Sequence, residues 1–303
     1  MAIGLALYAG VYYAAEQLMV QNGRSNPFFK IATAQRSTVD WVILGASHAM
    51  PLDFADFNVQ MERETRLKIL NLAAPGAGPL YNRFVFEYFL RQHRARNLLY
   101  VVDSFAFYSR TWNEERIADV KLLRCTPFDP AIARSLWGYA RHEGVDARAV
   151  LDYVSGFSKI NNRDRFQRDI WEGEAQFERA YRPSISAVKK RIDYLFPDKT
   201  APAARSRYLE EFSTIIAMAR KEGINVVVIK MPVPRQFYSQ LPDEAGFDAA
   251  LSDFLAARSV LFHDFSAKTS EPGRYFDTDH LSRTGLTEFF IRDLKPILVS
   301  GGG

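Results

Sequence analysis

Gly45-Ala46-Ser47-His48 places a serine directly after a short apolar run, Trp41-Val42-Ile43-Leu44. A hydroxyl there stands at the end of a strand, where a glycine turn can expose it. Asp277-Thr278-Asp279-His280 puts an imidazole three residues after a carboxylate, close enough within one turn for the acid to orient the ring. Together these residues are the parts of a nucleophile–base–orienter relay. Ser47 is the nucleophile, His280 accepts its proton, and Asp277 fixes the tautomer. A third element, Gly76 and Gly78 in Ala73-Ala74-Pro75-Gly76-Ala77-Gly78-Pro79, could bring backbone N–H groups close to a developing oxyanion. Each motif alone is common in turns and caps. Their joint occurrence at strand ends carries the chemistry. Arg235 follows the fourth apolar run and could bind an anionic substrate group. His48 is expected to shape the nucleophile turn rather than to act chemically. His93, His142 and His263 stand isolated.

The elements that must position these residues follow from apolar patterning. Short apolar runs at 41–44, 68–72, 97–102, 224–229 and 259–262 read as buried strands. Between them, 80–94, 206–221, 247–257 and 282–295 show helical patterning. Ser206 and Ser282 stand at candidate N-caps, and Pro296 is the expected stop of the last helix. Strands alternating with helices predict an α/β fold, a flavodoxin-like parallel sheet with helices on both faces. In such sheets ligands bind outside the carboxyl ends of the strands. Residues from about 105 to 204 show no strand pattern and are expected to form a helical insertion after the third strand.

The first twenty residues, MAIGLALYAGVYYAAEQLMV, carry a single acid, Glu16, and no Lys or Arg. As a helix they would reach about 30 Å, the thickness of a hydrocarbon core, so residues 1–20 are expected to be an N-terminal membrane helix. Ala2, Ala6, Gly10 and Ala14 form a small-residue stripe suited to a partner helix. Residues 21–37, polar and containing Pro27, read as a linker, and 38–300 as the folded domain. Gly301 to Gly303 read as a linker outside it. The net charge of +4 is mild, and no dense basic run or zinc-finger spacing occurs, so nucleic acid is not an expected partner. No metal-ligand spacing and no nucleotide-binding glycine motif is present, and no cofactor is expected. The single cysteine, Cys125, is expected to be structural.

Serine after the first strand, glycine after the second and D-x-x-H before the last helix is the order used by SGNH hydrolases. The chain resembles that family over about 38–104 and 222–298. The resemblance implies the Ser47, His280 and Asp277 triad, with Gly76 or Gly78 as oxyanion donor. It departs at the third block, where the family usually has an Asn and this chain has Asp103-Ser104-Phe105. An ionised Asp103 would repel an oxyanion, which leaves Ser104 as the candidate donor. The apolar N-terminus and missing Asn are similar to membrane-anchored acyl-transfer proteins, such as the teichoic-acid D-alanine transfer protein and the SGNH-like proteins of polysaccharide O-acetylation. That likeness implies an extracytoplasmic domain and acyl transfer to a glycan or envelope polymer. It also implies a membrane-bound O-acyltransferase as partner of the N-terminal helix. The same parts would serve an acyl esterase or deacetylase, or a non-catalytic subunit retaining the fold.

Overall fold

The computed structural model describes residues 2–22, 25–164, 166–167, 171–182, 184–198, 200–268 and 271–301. Five strands form one parallel sheet: β1 (Thr38–Gly45), β2 (Ile69–Asn71), β3 (Arg94–Val101), β4 (Asn225–Lys230) and β5 (Leu261–Asp264). Their order is β2-β1-β3-β4-β5. This doubly wound order leaves a crevice beyond the carboxyl ends of β1 and β3, where the chain's crossovers change direction.

Successive side chains of a strand point to opposite faces, and the sequence fills both with apolar groups. Val42, Leu44, Leu98, Tyr100 and Val228 face one core, packed by helices Pro79–Gln92 and Pro202–Lys221. Tyr100 meets Phe212 there with ring centroids 4.3 Å apart. Trp41, Ile43, Leu99, Val101 and Ile229 face the other core, packed by Phe57, Phe289, Phe290 and Leu298. The Trp41 indole N–H donates to the Leu298 carbonyl at 3.1 Å, so the widest side chain of β1 is also satisfied.

Several sequence expectations are corrected. Residues 27–33 are a helix folded onto the core rather than a linker. Asn26 caps it, its side chain accepting from the N–H groups of Phe28 and Phe29, and Phe28 and Ile31 are buried. Ser206 lies inside helix Pro202–Lys221, which starts instead on Pro202, where a missing N–H costs nothing. The last helix does not stop at Pro296. After Arg283–Phe289 it widens into a π turn, Phe290–Leu294, then continues as Lys295–Gly301. The widened turn stands just before the proline, whose ring and missing N–H would interrupt a regular helix. Gly301 belongs to that helix and lies against the Trp41 ring.

The N-terminus is a helix, Ala2–Asn22, but among the described residues no helix is long and apolar enough to cross a membrane. The expected span fails because Tyr8, Tyr12, Tyr13, Glu16 and Gln17 dilute its apolar character. From Tyr8 onward the helix is instead tied to the insertion. The Tyr8 hydroxyl donates to the Ser155 carbonyl at 2.8 Å, Glu16 pairs with Lys159, and Tyr12 meets Phe128 edge-on. Ala2, Ala6, Gly10 and Ala14 are all exposed, so the small-residue stripe is not buried against the described residues.

Residues 105–204 contain helices and no strand among those described. Pro130–His142, Arg148–Ser155 and Ile185–Leu195 are the longest of them.

Candidate active site

β1 ends in Gly45 at φ 153°, where a side-chain carbon would stand 2.8 Å from the Val101 carbonyl oxygen. Only glycine lets β1 turn this closely against β3. The turn delivers Ser47 to the head of a short 3-10 helix, Ser47–Asp53, at the sheet's carboxyl edge. There Ser47 is 4% exposed and its hydroxyl donates to His280 Nε2 at 2.9 Å.

The opposite ring nitrogen, His280 Nδ1, donates to Asp277, whose two oxygens lie at 3.0 and 2.9 Å. Asp277 Oδ1 also accepts the backbone N–H groups of Asp279 and His280, which folds the D-x-x-H segment into a tight turn. Rings fix the imidazole on its other sides. Phe276 stacks on it at 5.5 Å and Trp171 of the insertion meets it edge-on at 5.1 Å. The structure therefore brings Ser47, His280 and Asp277 into one hydrogen-bonded line. These partners assign the proton to Nδ1 in the resting state and leave Nε2 as acceptor.

The two loop glycines serve packing first. Gly78 gives its N–H to the Trp112 carbonyl at 2.6 Å, so it is not the oxyanion donor. A side-chain carbon on Gly78 would stand 2.4 Å from Asn113 Oδ1, and one on Gly76 would stand 2.4 Å from the Trp112 ring. Asn113 cannot yield. It is fully buried, accepts from Leu80 N–H and donates to the carbonyls of Ala106 and Ser109. Gly78→Ala is therefore expected to cost about 1–3 kcal/mol, the usual range for overpacking, measured as a lower midpoint in urea unfolding.

Ser104 is also diverted. Its hydroxyl donates to Glu244 Oε2 at 2.5 Å, and Glu244 in turn pairs with Lys230 at 2.6 Å. Burial raises the Glu244 carboxyl above its usual range despite Lys230 beside it. Burial also opposes the charge on Lys230, but Glu244 and Asp248 outweigh it and raise its ammonium group. Ser104 thus belongs to a buried ionic cluster rather than to an oxyanion site. Arg235 is exposed at the head of the one-turn helix Arg235–Tyr238. Phe237 and Tyr238 of that turn, not Arg235, line the pocket beside His48.

Four titratable groups enter the site to which sequence reasoning gave no catalytic part. His48 Nδ1 donates to Asp103 at 2.5 Å, and its Nε2 faces Asp279 at 3.4 Å. Asp279 is fully buried and takes Arg191 Nε on both oxygens, at 3.1 and 2.9 Å. Burial alone would raise the Asp279 carboxyl, but Arg191, His280 and His48 outweigh it and hold the group well below the usual carboxylate range. For His48 burial likewise opposes charge, yet Asp103 and Asp279 push its pKa up to about 10. Three of these groups had a sequence signal: the histidine next to Ser47, the second acid of D-T-D-H, and an acid at the end of β3. Arg191 had none, because its helix lies in the insertion, far from every motif.

His48, Asp279 and His280 bring ligand-type atoms within 4.8 Å of one another. Both Asp279 oxygens accept from Arg191, and the ring nitrogens face carboxylates and Ser47. The arrangement is that of a hydrogen-bonded relay rather than a metal cage.

No family model matches the chain, and no curated protein matches it. Among solved structures, a crystal structure of a candidate acylhydrolase from Bacteroides fragilis is similar at 10% identity and a TM-score of 0.44. The likeness covers 89% of this chain and 93% of that one. Neither the fold nor a function is assigned on a likeness of that size.

Proposed function

We propose that this chain is a serine acyl-transfer enzyme of the SGNH type. The hydrogen-bonded line Ser47–His280–Asp277 is the observation that carries the reading. The Ser47 hydroxyl attacks the acyl carbonyl while His280 Nε2 takes its proton. The carbonyl π electrons move onto oxygen, and the oxyanion collapses to expel the leaving alcohol, which receives that proton from His280. The acyl group is then an ester on Ser47. An acceptor hydroxyl, losing its proton to His280, attacks this ester and restores the free serine. Asp277 stays ionised throughout and stabilises the imidazolium.

The backbone N–H groups at the turn after Gly45 and at Gly76 are the donors for the oxyanion, since Gly78 and Ser104 are committed elsewhere. The acceptor we propose is a sugar hydroxyl of an envelope polymer, on the motif layout described above. A membrane-bound acyl donor system would then be the partner.

The test uses the purified chain and a chromogenic acetyl ester, with and without a soluble polysaccharide. Acetyl groups recovered on the polysaccharide support transfer. Free acetate alone reduces the protein to an esterase, and no ester cleavage under either condition contradicts the reading.

A further inference from the structure

A histidine next to the nucleophile and an acid at the family's Asn position look like two unrelated departures. The geometry joins them. His48 leaves the end of β1, Asp103 leaves the end of β3, and Asp279 belongs to the turn before the last helix. One imidazole hydrogen-bonds Asp103 at 2.5 Å from Nδ1 and stands within ion-pair distance of Asp279 at 3.4 Å from Nε2, a nitrogen with no hydrogen-bond partner among the described residues. Its ring lies 4.8 Å from that of His280, tilted by 36°. The edge of Phe237 closes another side at 6.5 Å.

Charge balance shows what this contact does. Asp103 is 9% exposed, and among the described residues its ion-pair partner is the His48 ring. Its second oxygen, Oδ2, has no hydrogen-bond partner among the described residues. Lys230 lines the same pocket but is bound to Glu244 and Asp248. With a neutral His48, Asp103 would be a buried carboxylate with no cation touching it among the described residues, a costly arrangement. Asp279 differs, because Arg191 already neutralises it. Asp279 can therefore stand between two rings, 3.4 Å from His48 Nε2 and 3.5 Å from His280 Nδ1.

We propose that His48 is a positioning residue for the acyl-transfer reaction, a cation braced between Asp103 and Asp279 that holds the β1, β3 and His280 loops together and supports the face of His280. The inference rests on the acyl-transfer reading above. It assigns Asp103 as the counterion of His48 rather than as a damaged oxyanion donor. These two roles predict opposite results for Asp103→Asn. That substitution recreates the family's amide, keeps a hydrogen-bond acceptor for His48 Nδ1–H, and removes the charge. If Asp103 braces His48, kcat falls by roughly 10²-fold, the effect of misplacing reacting groups by about 1 Å, with KM little changed. A damaged donor would be repaired, and kcat would rise.

The sign of the pH effect follows from the same contact. The His48 pKa is raised from 6.5 to about 10 by Asp103 and Asp279, against burial. The proton therefore favours the folded state fully below about pH 6.5, and this contribution is lost as pH rises towards about 10. The wild-type melting temperature should decline across that window, and Asp103→Asn should decline less.

The decisive experiment combines two readouts on the full chain. Imidazole NMR follows His48 from pH 5 to 10.5 in the wild type, assigned with His48→Gln. Steady-state turnover of a chromogenic ester compares wild type, Asp103→Asn and His48→Gln. The proposal expects both His48 nitrogens protonated at pH 8, a lower titration in Asp103→Asn, and reduced kcat in both variants. His48 titrating near 6.5 in the wild type overturns it, and so does an Asp103→Asn enzyme as fast as wild type or faster. If wild-type Ser47 forms no covalent adduct with a fluorophosphonate, the acyl-transfer reading fails and this inference falls with it. Adduct formation with unchanged variant kinetics overturns the inference alone.

Discussion

Ser47→Ala is expected to lower acyl turnover by about 10⁴–10⁶, leaving only what binding and the oxyanion donors supply. The loss should fall on kcat, because the hydroxyl forms the bond that carries the acyl group. KM for the donor ester should move little, since Ser47 is one small buried side chain among the groups that shape the site. The folded state should be nearly unaffected. Alanine keeps the 3-10 turn and removes only the hydroxyl, whose hydrogen bond goes to His280. Residual turnover within about tenfold of wild type would mean that another group is the nucleophile. Ester hydrolysis assayed beside thermal unfolding separates lost chemistry from lost fold.

Asp277→Asn should have the second largest effect, a fall in kcat of about 10³–10⁴. An Asn keeps the shape and can still accept the N–H groups of Asp279 and His280 that form the turn. Its amide, however, no longer provides a carboxylate for His280 Nδ1–H. The imidazole then loses the partner that sets its tautomer and balances its charge when it takes the serine proton. Asp279, 3.5 Å from Nδ1, is the natural substitute. It is held by Arg191 and shared with His48, so its rescue should be small. The full fall is therefore not expected to be recovered at higher pH. A kcat profile from pH 5 to 9 with unchanged melting behaviour checks this, and equal rates for wild type and variant would remove Asp277 from the mechanism.

The sheet was legible because each strand is a short apolar run ended by Gly, Pro or Asp. All five runs overlap the observed strands, and the three chemical motifs lie beyond strand ends in the order read from the chain. The D-x-x-H turn was legible for the same local reason: three residues suffice to bring acid and imidazole together. What stayed hidden depends on distance in sequence. Nothing near Arg191 marks it as the partner of Asp279, 88 residues away. Nor does Ser104 announce that Glu244, 140 residues on, will take its hydroxyl. The choice between Gly76 and Gly78 was left open for a related reason. Glycine was taken as a sign of close approach by substrate, whereas the groups that approach closely are Trp112 and Asn113 of the chain itself. At the N-terminus, length and the near absence of charge suggested a membrane span, and nothing near Glu16 showed that it would be paired within the chain. Lys159, 143 residues away, is its partner.

The most direct test of the account is covalent labelling of Ser47. The intact protein is incubated with a fluorophosphonate at neutral pH, digested, and the adduct located by mass spectrometry. A serine activated by His280 should carry the phosphonyl group on the peptide containing Ser47. Asp277→Asn should label much more slowly, and Ser47→Ala should not label there at all. An unlabelled wild-type Ser47, or a label that persists in Ser47→Ala on another residue, would contradict the assignment of Ser47, His280 and Asp277 as the reacting groups.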